Sequence, residues 1–386
     1  MFKLLIIANN NLGDGISGGD TIWLNFVKYW KKKIKISLLA SQDAINLMNR
    51  KKIKGVDVVR TDRANNKVGH YQSLALFWHG LRRSYKGLKM IWRHRQKWKK
   101  VDFVYSVSDF WPDFWPALLL KIYRPSIKWL AGCYLIAPRP WSRLSPYKSK
   151  HKLKAWFFYL SQLVSIFFIK GWADVVLVTS KTEKKAFRNK KVVVVRGGVD
   201  FIPSKKWLGK KKYQACFMGR FHFQKGVLKM IDIWKEVVKK RKRAKLAMIG
   251  DGQLKRKVEN KIKKLGLEKN IDLLGFKYGM DKIEVFKTSC LVVHPATYDS
   301  GGMSMAEIMA GGIPGVCFDL KSLKSYYPQG VLKANCFDVK DFARKIDSLL
   351  SRPELYGRLS EQAVNLIRER WAWPRRAEQI YRQIFS

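Results

Sequence analysis

At 386 residues the chain is long for one core and about right for two domains of roughly 150–200 residues each. Hydrophobic residues make up 47% and aromatics 13%, which excludes global disorder. A net charge of +48, from 77 Lys and Arg against 29 acids, calls for a polyanionic counterpart: nucleic acid, an anionic membrane face or phosphorylated substrates. The excess is spread over both halves, so no tail or localisation signal carries it. A generally basic composition would look the same.

Short β-branched runs alternate with longer helical patterns. The first series of expected strands is Lys3–Ala8, Ile34–Leu39, Val56–Arg60, Phe103–Ser106, Lys128–Cys133, Val175–Thr179 and Val192–Val195. The second is Tyr213–Met218, Lys245–Ile249, Ile271–Leu274, Leu291–His294 and Gly315–Phe318. Expected helices include Thr21–Lys33, Val227–Lys240, Gln253–Leu265, Lys282–Thr288, Ser304–Ala310 and Val339–Leu350. The alternation predicts parallel sheets with crossover helices, an α/β protein of two Rossmann-like domains. The divisions fall at 1–199, 200–370 and a C-terminal helix over 371–386 that returns to the first domain.

Residues 64–101 contain no acid. Leu74, Phe77, Trp78, Leu81, Tyr85, Leu88 and Trp92 recur at steps of three and four, opposite Arg82, Arg83, Lys86 and Lys89. Gly80 and Gly87 argue against a single long helix. A basic amphipathic helix with tryptophans suits an anionic bilayer surface, and an ordinary solvated helix face gives the same pattern. Ala155–Ile169 is aromatic and greasy, yet too short for the ~30 Å hydrocarbon core, so no transmembrane helix is expected. The apolar run Leu4–Ala8 is too short for a signal-peptide core. Five scattered cysteines without CxxC indicate a reduced, cytoplasmic protein, peripheral on the inner membrane face if the basic helix docks. The six His show no metal-ligand spacing, so no metal is expected.

The most informative stretch runs from Leu291 to Val316: strand, glycine loop, helix, glycine turn, next strand. Asp299 lies in the loop and Glu307 inside the helix, eight residues on. Gly301, Gly302 and Met303 bring backbone N–H groups to the helix start, which suits an anion or sugar hydroxyls. A carboxylate placed like Glu307 can accept hydrogen bonds from a ribose diol. Upstream, Arg220 and Lys225 in Gly-Arg-x4-Lys-Gly leave a strand end and can converge on a diphosphate. In the N-terminal half, Gly18 and Gly19 sit in a glycine loop that enters a helix and can cradle a phosphate, or merely supply positive φ. Asp109, after another strand, could orient an acceptor hydroxyl; Ser108 or Asp109 could equally cap a helix.

With these motifs the chain resembles the family 4 retaining glycosyltransferases of the GT-B fold, glycosyltransferase group 1. The resemblance rests on Asp299-x7-Glu307, followed by Met309-Ala310-Gly311-Gly312-Ile313-Pro314, and on Gly219-Arg220-x4-Lys225-Gly226. It is strongest over about 173–386, and the first acid is Asp where the family has Glu. It implies two Rossmann-like domains facing a central cleft and transfer of a sugar from a nucleotide-diphosphate sugar to a glycan acceptor, lipid-linked or of the cell envelope. It also implies no cofactor and no metal. Arg220 and Lys225 would bind the diphosphate, Asp299 donor-sugar hydroxyls, and the loop at Gly302, Met303 and Ser304 sugar and phosphate. Glu307 would bind the ribose, and Gly18 and Gly19 would face donor and acceptor. Retention would follow a front-face path in which the departing diphosphate oxygen takes the acceptor's proton, since no second carboxylate is free to act as nucleophile. A nucleotide-sugar epimerase on the same architecture and a basic nucleic-acid-binding protein are the alternatives; no nucleic-acid motif supports the second.

Overall fold

The computed structural model describes residues 1–386 except 12, 14, 15, 63–72, 138, 142–151, 180, 196, 200–209 and 300. It divides into two compact units, Met1–Gly197 with Arg376–Ser386, and Gly198–Arg375.

The first unit is a seven-stranded parallel sheet. Its elements are β1 (Lys3–Ala8), α1 (Gly18–Trp30), β2 (Lys35–Ala40), α2 (Gln42–Arg50), β3 (Asp57–Arg60), α3 (Ser73–Arg93) and the short α4 (Arg95–Trp98). Then come β4 (Phe103–Ser106), α5 (Trp111–Tyr123), β5 (Lys128–Cys133), α6 (Lys152–Trp172), β6 (Val175–Val178), α7 (Lys181–Lys184) and β7 (Lys191–Val194). Strand order is β3-β2-β1-β4-β5-β6-β7, so the order reverses between β1 and β4. Helices α3, α5 and α6 cover one sheet face, where Ile91, Phe114, Leu118 and Ile169 pack on Leu5, Ile7, Val104 and Val176. α1 begins three residues before the sequence pattern indicates because Ser17 and Asp20 form a reciprocal capping box.

α3 is continuous through Gly80 and Gly87, and Gly87 belongs to its packing side. A Cβ on Gly87 would lie 2.7 Å from Pro116 of α5, so the glycine permits close helix contact. The side assignment along α3 differs from the sequence pattern. Trp78, Tyr85 and Trp92 are exposed, whereas Arg83 is buried. Arg83 donates to Asp43 at 2.5 Å, to Asp62 at 3.1 Å and to the carbonyls of Asn9 and Asn11. A buried guanidinium bound by two carboxylates and two carbonyls is a packing element, so Arg83 is removed from the basic surface face. Residues 64–72 of the basic segment and the side chain of Leu74 lie outside the described residues.

The second unit is a six-stranded parallel sheet. It comprises β8 (Tyr213–Met218), α8 (Val227–Lys240), β9 (Leu246–Ile249), α9 (Lys255–Lys264), β10 (Ile271–Leu273), α10 (Gly279–Lys287) and β11 (Ser289–His294). It continues with α11 (Met303–Met309), β12 (Gly315–Phe318), α12 (Lys321–Lys324), β13 (Val331–Ala334), α13 (Val339–Ser351), α14 (Pro353–Arg370) and the first residues of α15 (Trp373–Phe385). Strand order is β10-β9-β8-β11-β12-β13, reversing between β8 and β11. The edge strand β13 was not expected from sequence. In α15, Ala377 accepts a 2.9 Å bond from the Trp30 indole within the first unit.

Candidate functional site

In an open parallel sheet, ligands bind beyond the carboxyl ends of the strands, where the strand order reverses. In the second unit that point is the pair β8 and β11. The segments that leave these strands carry Arg220, Lys225 and Asp299. Gly226 allows the two loops to meet: its φ is +67°, and a Cβ there would lie 1.9 Å from the Pro295 carbonyl oxygen. Thr297 N–H then donates to the Gln224 carbonyl at 2.9 Å, which stitches the loops together.

Asp299 is the centre of the site and is 5% exposed. Its Oδ1 accepts the N–H groups of Gly301 (2.9 Å) and Gly302 (2.7 Å). Its Oδ2 meets Lys225 Nζ at 2.5 Å and His294 Nε2 at 3.1 Å. A carboxylate has about four acceptor positions, so these four contacts fill it. Burial would raise the Asp299 pKa, but Lys225, His294 and the Gly301 N–H outweigh it and hold the carboxyl well below the usual range. The carboxylate folds the Gly301–Gly302 turn and holds Lys225.

The turn is braced from behind. The Tyr327 hydroxyl donates to the carbonyls of Gly302 (2.6 Å) and Gly301 (3.1 Å), and its ring stacks on Trp371 with centroids 5.3 Å apart. Ser322 Oγ donates to the Asp299 carbonyl at 2.6 Å. Gly302 takes φ +59° at the start of α11, and Met303 and Ser304 are that helix's first residues. Glu307 lies one turn further, half-buried, and its carboxylate pairs with Lys282 of α10. Arg220 is exposed, and among the described residues its guanidinium has no ion-pair or hydrogen-bond partner. Lys225 and Gly302 thus both contact Asp299, whereas Glu307 pairs with Lys282 and the Arg220 side chain has no partner among the described residues. His294, Tyr327, Lys282 and Ser322 were missed in the sequence. Only His294 had a local signal, as the last residue of the strand before the glycine loop.

In the first unit the reversal falls at β1 and β4, and polar side chains gather there too. Asp109 is buried and accepts from Gln162 Nε2 at 2.7 Å; burial, opposed by that bond, pushes its pKa up to about 6. Neither Ser108 nor Asp109 caps α5, whose N-cap is Phe110. Asp113, unnoticed in the sequence, accepts the N–H groups of Asn9 (2.5 Å) and Asn10 (3.0 Å) and the Ser108 hydroxyl (2.5 Å). Burial, against those bonds, pushes its pKa up to about 7. Gly18 and Gly19 are helical, the first two residues of α1, so positive φ is not their reason. A Cβ on Gly19 would press on the Tyr134 ring at 3.3 Å. Among the described residues no three His, Cys, Asp or Glu side chains cluster as a metal site would require.

The second unit is thus a Rossmann-like unit with cations and a carboxylate-folded glycine turn at its ligand-binding edge. Residues 199–366, within this unit, match the model of the family described as glycosyl transferases group 1. Over 166 residues the chain is 28% identical to the amylovoran biosynthesis glycosyltransferase AmsD of Erwinia amylovora, covering 40% of this chain and 46% of that relative. Over 148 residues it is 32% identical to the poly(ribitol-phosphate) alpha-N-acetylglucosaminyltransferase of Staphylococcus aureus, covering 37% of this chain and 29% of that relative. The chain therefore spans less than half the length of each of these two relatives. The structure of Anabaena HepE in complex with UDP and glucose superposes with a TM-score of 0.73 at 15% identity, covering 100% of both chains. That likeness establishes the fold as GT-B. The epimerase alternative finds no support in these relatives.

Proposed function

We propose that this chain is a metal-independent retaining glycosyltransferase that moves a sugar from a nucleotide-diphosphate sugar to a lipid-linked or cell-envelope glycan. The observation that carries this reading is the pairing of Lys225 and Gly302 with Asp299 at the β8/β11 edge, together with the unengaged guanidinium of Arg220 on the segment that leaves β8. Lys225 and Arg220 receive the diphosphate and stabilise the charge that grows on the leaving oxygen. Asp299 sets the height and direction of Lys225 and folds the turn whose amides at Gly302, Met303 and Ser304 face sugar and phosphate. Glu307 takes the ribose diol, and Lys282 pairs with its carboxylate. Asp109 orients the acceptor hydroxyl, while Gly18 and Gly19 at the start of α1 face donor and acceptor. The glycan-related activities in the names of the two relatives support a glycan acceptor, and the HepE complex supports a UDP-type donor.

The protein works on this reading at the cytoplasmic face of an anionic membrane, where lipid-linked acceptors lie. No described helix is long and apolar enough to cross a membrane. The test is transfer from UDP-, GDP- and ADP-sugars to envelope glycan extracts, in excess EDTA, with the product's anomeric configuration read by NMR. Transfer with retained configuration and undiminished rate in EDTA is expected. Inverted product, or activity abolished by EDTA and restored by Mg²⁺ or Mn²⁺, overturns the mechanism.

A further inference from the structure

The helical layer α3–α5–α6 of the first unit has an outward side unlike that of an ordinary solvated surface. On α6, Trp156, Phe157, Leu160, Leu163, Val164 and Phe167 are each between 38% and 73% exposed. Their spacing puts them on one face of the helix over about three turns. On α3, Trp78, Tyr85 and Trp92 are 57–66% exposed and alternate along one stripe with exposed Arg82 and Lys89. The two helices belong to the same layer: Phe77 of α3 meets Phe157 of α6 with ring centroids 5.1 Å apart, and Trp92 meets Tyr123 of α5 at 6.2 Å. The apolar stripe and the aromatic–cationic stripe therefore meet where Phe77 touches Phe157, and α5 adjoins α3 at the Trp92 end. Contiguous exposed apolar area of this kind marks a binding surface.

We propose that this surface docks on an anionic lipid bilayer, with the α6 stripe entering the acyl boundary and the α3 stripe lying at the headgroups. The inference deepens the membrane reading above and rests on it. The sequence pattern puts the tryptophans and the basic residues of α3 on opposite sides; here Trp78, Tyr85 and Trp92 share the outer side with Arg82 and Lys89. Aliphatic residues in the middle of α6, aromatics near its ends and cations on the neighbouring helix match the depth profile of a bilayer interface. A second copy of this chain fits poorly, because it would set the same cations against one another on a molecule of net charge +48. An acidic protein would pair with Arg82 and Lys89 but leave the α6 stripe without an apolar counterpart.

Two variants separate the contributions, and both alter exposed side chains outside the transfer site. One is Leu160→Ser with Leu163→Ser and Phe167→Ser; the other is Arg82→Gln with Lys89→Gln. Arg83 is left intact because it is buried. Flotation is measured with vesicles of phosphatidylcholine alone and with phosphatidylglycerol added, alongside Tm, sedimentation and donor turnover. The wild type should float with anionic vesicles only. The serine variant should lose at least tenfold in partitioning at unchanged Tm. Each cation near the surface contributes about fivefold, so the glutamine pair should lose about 30-fold. Absence of wild-type flotation, undiminished flotation of the serine variant, or a wild-type dimer that the serine variant dissolves would overturn the proposal. Normal flotation by a protein that turns over no donor would support docking while sinking the transfer reading.

Discussion

Replacing Lys225 with Met should damage stability and catalysis by separable amounts. Asp299 is 5% exposed and Lys225 32%. Removing one partner of a fully buried pair costs about 3–5 kcal/mol. Here the cost should be about 2 kcal/mol, because Lys225 is partly solvated and Asp299 keeps His294 and two amides. In a unit the size of Gly198–Arg375 that lowers Tm by about 4–8 °C. Turnover should fall about 10²–10³-fold through lost leaving-group stabilisation, about 2.7–4 kcal/mol. Adding Asp299→Asn neutralises the stranded carboxylate while keeping an oxygen for the Gly301 and Gly302 amides. The double variant should regain stability to within about 1 kcal/mol of wild type and remain inactive. Acid should imitate the destabilisation. The Asp299 pKa is depressed in the folded state, so its contribution is present above the unfolded value of about 3.9 and is lost as pH falls through the folded one. Calorimetry and steady-state donor turnover on the three variants decide it. A double variant as unstable as Lys225→Met, or a Lys225→Met enzyme with normal turnover, would refute the reasoning.

Arg220→Ala should cut turnover about 10²–10³-fold with no change in Tm, since the exposed guanidinium supports nothing in the fold; a shifted Tm with normal kinetics contradicts this. Glu307→Ala should weaken free nucleoside diphosphate and nucleotide-sugar by the same factor in titration calorimetry, because a ribose contact is common to both; selective loss of the sugar alone argues against the assignment. Asp113 has a folded pKa of about 7, raised above its unfolded value. Its contribution to stability is therefore fully present below about pH 4 and is lost as pH rises through about 7. Asp113→Asn preserves the two amide contacts, so it should flatten the Tm–pH profile between about pH 4 and 7; an unchanged slope would remove Asp113 from the account.

The local chemistry of the second unit was more legible than its tertiary contacts. Gly219-Arg220-x4-Lys225-Gly226 and Asp299-x7-Glu307 mark a strand end and a loop because a left-handed glycine and a tight turn have few solutions. The role of Asp299 was not legible. Whether a carboxylate faces a ligand or folds its own loop depends on His294 and Lys225, which reach it only in three dimensions. Tyr327 and Lys282 act from elements 20 or more residues away and leave no local pattern. On α3 the periodicity was correct and the orientation was not. A helix that packs through Ser84 and Gly87 turns its tryptophans outward, and no hydrophobicity scale ranks a glycine face above a tryptophan face. Arg83 shows the reverse: a cation reads as surface until Asp43 and Asp62 are found beside it.

The most direct test of the donor site is a thermal-shift titration of wild type and Arg220→Ala/Lys225→Ala with UDP, GDP and ADP. Ligand binding to the folded state alone stabilises by about 2.7 kcal/mol at a hundredfold excess over Kd. The account predicts a concentration-dependent rise in Tm with at least one nucleotide and its loss in the double variant. No shift with any nucleotide, or the same shift in the variant, would contradict it.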